Sequence, residues 1–388
     1  MSGILHLSHT DINSDSRILK EMTSIARLIN LSDIRINGLG VASDEGAVAT
    51  EIKHNLIIDS ITLQSRRFVL FPEGIRHMCS LIELTTKMLF KAVRLKPKVV
   101  HCHDTSVLPV GSIIKFITGA KLIYDAHELE SNRNGLTKFL GKLTLFAEKF
   151  LWKSIDALIV VSPSIKKWYK KNIGNKYSKV ILNSPVLEKK ISRKNTSYLR
   201  HKFSIKDDSK IFLYIGILTN GRGIDLIIEA FKNYDIKSSI VFLGYGELSN
   251  DLKKIANNYQ NIYVHDAVPH EQVVSVAKSA DFGLCLIQNV SLSDYYCMPN
   301  KLFEYCFAGI PVLASSLPDL ESTVNQYRLG TCCDLNIDSV VNGIKRLDQG
   351  EIDTDFNIDD LSALSWEAQE KELIDLYNYV LNNKNESV

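Results

Sequence analysis

Two kinds of residue are typed and spaced for chemistry: charged groups at the ends of apolar runs, and glycines close behind them. The densest case is Cys297-Met298-Pro299-Asn300-Lys301-Leu302-Phe303-Glu304-Tyr305-Cys306-Phe307-Ala308-Gly309-Ile310-Pro311-Val312-Leu313-Ala314. It reads as a polar loop, a helix that Asn300 is suited to cap, a glycine stop and an apolar strand. Amides at such a helix start, reinforced by the helix dipole, make an anion site. Glu304 follows one turn later, where a carboxylate can accept from ribose hydroxyls beside a bound phosphate. A capped αβ unit with a solvated glutamate explains any one of these features. Their combination favours a nucleotide site.

Other strand ends carry related chemistry. Leu213-Tyr214-Ile215-Gly216-Ile217-Leu218-Thr219-Asn220-Gly221-Arg222-Gly223-Ile224 ends a strand at Gly216 and carries Arg222 in the loop before a helix. Glycine lets a phosphate approach backbone amides, and a guanidinium grips two phosphate oxygens. In Phe242-Leu243-Gly244-Tyr245-Gly246-Glu247, Gly244 and Gly246 serve either close packing of a base or ribose, or simply a tight turn. In the first half, Val99-Val100-His101-Cys102-His103-Asp104 ends one strand, and Tyr124-Asp125-Ala126-His127-Glu128-Leu129-Glu130 ends the next. A lone histidine in a sheet protein is usually structural, but two His/acid clusters at successive strand ends point to function. The histidines lack the i,i+4 spacing of a metal cage, so no metal site is expected.

These groups need a scaffold, and the chain is long enough for one of two domains at 388 residues. Apolar content of 45% and charged content of 23% are those of a globular protein. No apolar run approaches the roughly 20 residues of a membrane span. The opening Met1-Ser2-Gly3-Ile4-Leu5-His6-Leu7-Ser8 reads as a strand and lacks the pattern of a signal peptide, so a cytoplasmic location is expected. The seven cysteines form no Cys-x-x-Cys pair, and free thiols used as small hydrophobes are expected. Net charge is +2, yet residues 1–200 carry 31 Lys and Arg against 17 Asp and Glu, a balance of +14. Residues 201–388 carry 15 against 27, a balance of −12. A basic first half suggests an anionic partner such as nucleic acid, an acidic membrane surface or a phosphorylated lipid.

Short apolar runs alternate with helical patterns throughout, as parallel strands covered on both faces do. The polar stretch from Asn183 to Asp208 interrupts this alternation and reads as a linker. The expected fold class is therefore α/β, with two doubly wound Rossmann-like domains facing across a cleft. Their expected bounds are 1–183, a linker over 184–208, and 209–362. A C-terminal helix within 363–388 is expected to pack back on the first domain. The stretch Thr137 to Ser154 aligns Phe139, Leu140, Leu143, Phe146, Ala147, Phe150 and Leu151 on one face, with Lys138, Lys142, Lys149 and Lys153 largely elsewhere. A core helix with a solvated basic side and a membrane-surface helix both fit this pattern.

Taken together, these residues resemble glycosyltransferase family 4, retaining nucleotide-sugar enzymes of the GT-B fold. The resemblance runs from the first strand to Ser365-Trp366-Glu367 and includes Asp15-Ser16-Arg17-Ile18 and the Tyr-Asp-Ala-His-Glu run. It is most specific from Pro299 to Val312, followed by Leu317-Pro318-Asp319-Leu320. It implies a nucleotide-sugar donor on the second domain, with Glu304 at the ribose. Arg222 and amides near Asn300, Lys301 and Leu302 would hold the diphosphate, with Gly216, Gly244 and Gly246 in the same donor site. His127, Arg222 and Glu304 would carry catalysis without a metal or other cofactor. On the first domain, Asp15, Arg17, His103, Asp104, His127 and Glu128 would meet the acceptor, with Asp15 and Arg17 also near the donor phosphate. The expected acceptor is a saccharide, lipid-linked, in surface polysaccharide or lipopolysaccharide assembly. The basic first domain would contact an anionic membrane peripherally, not nucleic acid, and closure about the linker would complete the site. Two departures stand out: Tyr296 occupies the first position of the family's usual glutamate pair, and Ile217 replaces a basic residue, leaving phosphate charge to Arg222. A nucleotide-sugar epimerase and a non-catalytic nucleotide-sugar-binding partner of another transferase are the alternatives.

Overall fold

A computed structural model of the chain describes residues 3–28, 34–42, 49–53, 55–67, 72–186, 197–352, 356 and 358–382. The chain divides into two compact units, Met1–Ile181 with Glu370–Val388, and Leu182–Gln369.

The first unit is built on an eight-stranded sheet of β1 (Ile4–Leu7), β2 (Ile36–Val41), β3 (Ala49–Lys53), β4 (Leu56–Ile61), β5 (Val99–His103), β6 (Lys121–Ala126), β7 (Ala157–Val160) and β8 (Ser178–Val180). Their order is β3-β4-β2-β1-β5-β6-β7-β8. Every pairing is parallel except β3 with β4. The helices α1 (Ser16–Leu28), α2 (Glu73–Leu95), α3 (Leu108–Thr118) and α4 (Lys138–Leu151) follow β1, β4, β5 and β6. The central strands are apolar because helices cover them on both faces. The antiparallel edge strand β3, its partner β4 and the 23-residue α2 were not anticipated from sequence. Large apolar side chains of α2 lie exposed on its outer side, and this blurs the amphipathic stripe by which a covering helix is recognised.

In the second unit, β9 (Ile211–Ile217), β10 (Ser239–Tyr245), β11 (Ile262–Asp266), β12 (Phe282–Cys285), β13 (Val312–Ser315) and β14 (Gly330–Cys333) form an all-parallel sheet. Its order is β11-β10-β9-β12-β13-β14. Side chains on β9 alternate between faces, as the two-residue period of a strand requires. Leu213 and Ile215 join Leu302, Phe303 and Tyr305 in one apolar layer, whereas Phe212 and Tyr214 join Phe231 and Phe242 in the other. Residues 184–186 and 197–208 of the expected linker fall in this unit, and Tyr198–Phe203 is helical. Residues 187–196 of the expected linker lie outside the described residues. The C-terminal helix spans Trp366–Asn382, and Glu370 onward belongs to the first unit. There Glu370 pairs with Arg27 of α1, and Glu372 with Lys179 of β8. All seven cysteines are free thiols.

Tyr305 ties the helix Asn300–Ala308 to the sheet beneath it. Its hydroxyl accepts from the Ile215 amide at 2.9 Å and donates to the Leu213 carbonyl at 2.9 Å, with the Leu284 carbonyl at 3.2 Å. The ring lies flat on Gly283, where a Cβ would stand 2.4 Å from it. Tyr305→Phe is expected to lower stability in urea unfolding by about 1–3 kcal/mol, because it strands a buried amide and carbonyls. A neutral result would mean that the hydroxyl does not seat the helix.

Candidate functional site

In the second unit the helix Asn300–Ala308 starts without a side-chain cap. Pro299 occupies the cap position and Asn300 is the first helical residue, which corrects the capping role expected for Asn300. Amides of a first helical turn have no intrahelical acceptor, so an uncapped start is open to an anion. Lys301 enters this turn buried. Its Nζ lies 3.7 Å from the centre of the Tyr214 ring and has no hydrogen-bond partner among the described residues. A Cβ built on Gly216 would sit 3.5 Å from that Nζ, so the bare edge of Gly216 borders the ammonium. Gly244 and Gly246 have a different explanation. A Cβ there would stand 1.9 Å from the Gly216 carbonyl oxygen and 2.4 Å from that of Leu218, so the close approach of the parallel strand β9 and the loop after it requires both glycines. Leu302 is fully buried in the core, and its amide donates to the Pro299 carbonyl at 3.1 Å.

Arg222 is half-buried and pairs with Asp294 at 3.3 Å. Asp294 is held in turn by Ser291, which donates to its carboxylate at 2.7 Å and caps the short helix Leu292–Tyr295. The loop after β9 and the loop after β12 are thereby joined. Glu304, buried one turn into the helix, faces His270 at 3.8 Å.

The first unit gathers a second group of titratable residues on one face of its sheet. Register pairs His6 of β1 with His101 of β5, and His103 with Asp125 of β6, and alternation puts all four on the same side. Arg17 and Glu21 descend from α1, and Tyr377 from the C-terminal helix. Asp125 is fully buried and accepts from Arg17 Nη2 at 3.0 Å and from His127 Nε2 at 3.1 Å. His103 Nδ1 is 3.4 Å from the same carboxylate, and its Nε2 is 2.9 Å from His6 Nδ1. His101 bonds the Tyr377 hydroxyl at 2.8 Å.

Arg17, expected at the acceptor or donor phosphate, is 4% exposed. It donates to Asp125 and to the Ile181 carbonyl, and its Nε lies 3.2 Å from a Glu21 carboxyl oxygen. Asp15 accepts from the Arg17 and Ile18 amides at 3.0 and 3.1 Å, opening α1. Asp104 holds the rim, 3.7 Å from both His9 and His127, and Glu128 is exposed beside it. Of the six residues expected at the acceptor, Asp15, Asp104, His127 and Glu128 reach solvent, while Arg17 and His103 are buried. Glu21, His6 and Tyr377 were not singled out from sequence, and His101 and Asp125 only as members of the two His/acid clusters. The recoverable signal was the alternation of His101 and His103, which had to share a face. Glu21, His101, His103 and Asp125 offer one donor atom each within 4.8 Å of one another, a grouping that sequence spacing did not reveal. Asp125 is already bonded to Arg17 and His127, so its charge is met by the chain's own cations.

Burial disfavours every charge in this cluster, and the partners decide which survive. It opposes ionisation of Asp125, yet Arg17 and His127 hold that carboxyl well below its usual range. It also works against the His127 cation, but Asp125 and Asp104 prevail and raise its pKa to about 10. Burial and the neighbouring His103 push His101 down to about 3, and burial lowers His103 as well. For Glu21, burial and the adjacent Asp125 charge outweigh Arg17 and push the carboxyl up to about 8. Around neutrality, Glu21 therefore sits folded as the acid and unfolded as the carboxylate. The native state binds the extra proton, so this contribution to stability is complete below the unfolded value near 4.5 and is lost as pH rises through about 8. Relative to Glu21→Gln, the wild-type protein is expected to lose roughly 2–4 kcal/mol between pH 5 and pH 8, measured by urea unfolding across that range. Parallel pH profiles for the two proteins would contradict the assignment.

Comparison with known proteins bears on the family and the fold. The Glycosyltransferase Family 4 model matches residues 43–184, and the model for glycosyl transferases group 1 matches residues 196–356. An uncharacterized glycosyltransferase of Methanocaldococcus jannaschii is 28% identical over 51% of this chain; the match spans 53% of that relative, about half its length. Chitobiosyldiphosphodolichol beta-mannosyltransferase of Candida albicans is 24% identical over 54% of this chain and 50% of its own. Among solved structures, Anabaena HepE in complex with UDP-glucose superposes with a TM-score of 0.74 at 14% identity, covering 97% of this chain and all of that one. A likeness at that identity shows the fold, two Rossmann-like sheets of GT-B type. With one model on each half, the chain belongs to the GT-B glycosyltransferases, a family 4 module followed by a group 1 module.

Proposed function

We propose that the protein transfers a sugar, with retention and without a metal, from a nucleoside diphosphate sugar to a saccharide acceptor carried on a lipid. The observation that carries this reading is Lys301, a buried ammonium without a hydrogen-bond partner among the described residues, between the uncapped start of Asn300–Ala308 and the bare edge of Gly216. Burying such a group unpaired costs several kcal/mol, and a bound anion removes that cost. A diphosphate is the anion that also explains Glu304 one turn along, as the acceptor for ribose hydroxyls. The complex of HepE with UDP-glucose makes UDP-sugars the first donors to try.

Transfer breaks the bond from the anomeric carbon to the diphosphate oxygen and forms one from that carbon to an acceptor hydroxyl oxygen. The hydroxyl proton passes to the departing phosphate oxygen on the same face of the sugar. Negative charge grows on the diphosphate as the bond lengthens. Lys301, Arg222 and the helix start supply a preorganised positive field at that position, the task a metal performs elsewhere. Arg222 exchanges its contact with Asp294 for the phosphate. His127, held as an imidazolium by Asp125 and Asp104, cannot accept a proton near neutral pH, so its part is to donate a hydrogen bond to the sugar or acceptor. The lipid-carried acceptor rests on the basic first half and on the dolichol-linked substrate in the name of the Candida relative.

Calorimetry with nucleoside diphosphates and their sugars, followed by transfer assays, tests this assignment. Lys301→Met is expected to weaken diphosphate binding at least tenfold while leaving nucleoside binding nearly unchanged, and Glu304→Ala to weaken both. Arg222→Ala is expected to slow turnover more than it weakens binding. Wild-type behaviour in all three variants would place the donor elsewhere.

A further inference from the structure

The helix α4 is amphipathic the wrong way round for a covering helix. Its buried positions are Gly141 and Glu148. Gly141 presses on the backbone of Ser131, where a Cβ would stand 2.6 Å from the carbonyl oxygen. Glu148 accepts from the hydroxyls of Tyr124 at 2.7 Å and Tyr169 at 2.5 Å. The large apolar residues Phe139, Leu140, Leu143, Phe146 and Phe150 point outward, and both Phe139 and Phe150 are 74% exposed. The choice left open by sequence, core stripe or surface stripe, is settled as surface.

The neighbouring helices extend this face. α3 packs against both α2 and α4. It exposes Ile113, Ile117 and Phe116, the last at 89%, while α2 exposes Met78, Ile82 and Phe90 among others. Thirteen of the eighteen large hydrophobics exposed among the described residues sit on these three helices. Scattered apolar residues are ordinary on a surface, but a contiguous field of this kind marks an interaction site.

Charge identifies the occupant. Lys138, Lys142, Lys149 and Lys153 are exposed along α4 and just past its end, without acidic partners among the described residues. Glu148 is the single acid on α4 and is buried, and α3 has none. We propose that the outer faces of α2, α3 and α4 dock on an anionic lipid bilayer. The aromatic and aliphatic side chains enter the acyl boundary while the lysines reach lipid phosphates. This proposal adds a surface to the lipid-borne acceptor of the preceding reading, but it rests on this face alone and does not depend on catalysis.

The test is sedimentation of the full chain with vesicles of phosphatidylcholine alone, or mixed with phosphatidylglycerol, at low and high salt. Binding is expected with the anionic vesicles at low salt and to fall at least tenfold in neutral vesicles or at high salt. Phe146→Asp with Phe150→Asp, and separately Phe116→Ser, are expected to lower it at least tenfold with nucleotide binding and thermal unfolding unchanged. Lys138→Glu with Lys142→Glu and Lys149→Glu should abolish the anionic preference. Equal affinity for both vesicle types, or phenylalanine variants that bind normally, would overturn the proposal. So would light scattering that shows a dimer broken by those variants, because a second copy would then own the face. Loss of nucleotide binding with vesicle binding intact would count against the donor site alone.

Discussion

A carboxylate with no access to water organises the first unit. Asp125 cannot ionise where it is fully buried without cations in contact, and Arg17 from α1 and His127 from the loop after β6 provide them. That requirement fixes how α1 sits on the sheet and where His127 is aimed. It also places the neutral histidines His101 and His103, which fill the remaining positions around the charge. Tyr377 reaches His101 from the far end of the chain, so the C-terminal helix is tied to the same centre. One buried charge thus couples the first, middle and last segments of the sequence.

The second unit solves its positioning problem with a neutral group. The Tyr305 hydroxyl bonds backbone atoms of two strands, so the helix Asn300–Ala308 cannot slide along the sheet without stranding them. Lys301 and Glu304 flank it on that helix and inherit its placement. The ammonium of Lys301 has the Tyr214 ring against it but no hydrogen-bond partner among the described residues, a cost that is rational where a ligand answers it.

The outer helices of the first unit show the reverse economy. Apolar side chains that would stabilise a core face outward on α4, while the buried side keeps a glycine and a glutamate whose protonated form is favoured by burial. Surface of this kind adds nothing to folding, and its concentration on three adjacent helices beside unpaired lysines is explained by association.

Much of this organisation was legible from residue order alone. The alternation of apolar runs and helices indicated two parallel-sheet units, because strands buried on both faces and their crossovers leave a pattern that needs no three-dimensional information. The motif from Pro299 to Val312 located the candidate donor helix for the same reason, since a helix start, an acid one turn on and a glycine stop are local features. Tertiary structure decided what depends on distance across the chain. Arg17 looked like a loop residue open to ligand, and only the position of Asp125, 108 residues away, turned it inward. Gly244 and Gly246 read equally as room for a base or as a tight turn, and only the fold shows the backbone of Gly216 and Leu218 lying so close that both positions require glycine. The face of α4 had two readings of equal standing in sequence, because periodicity reports that a stripe exists and not which way it points; the fit of Gly141 against Ser131 and of Glu148 against two tyrosines turned it outward.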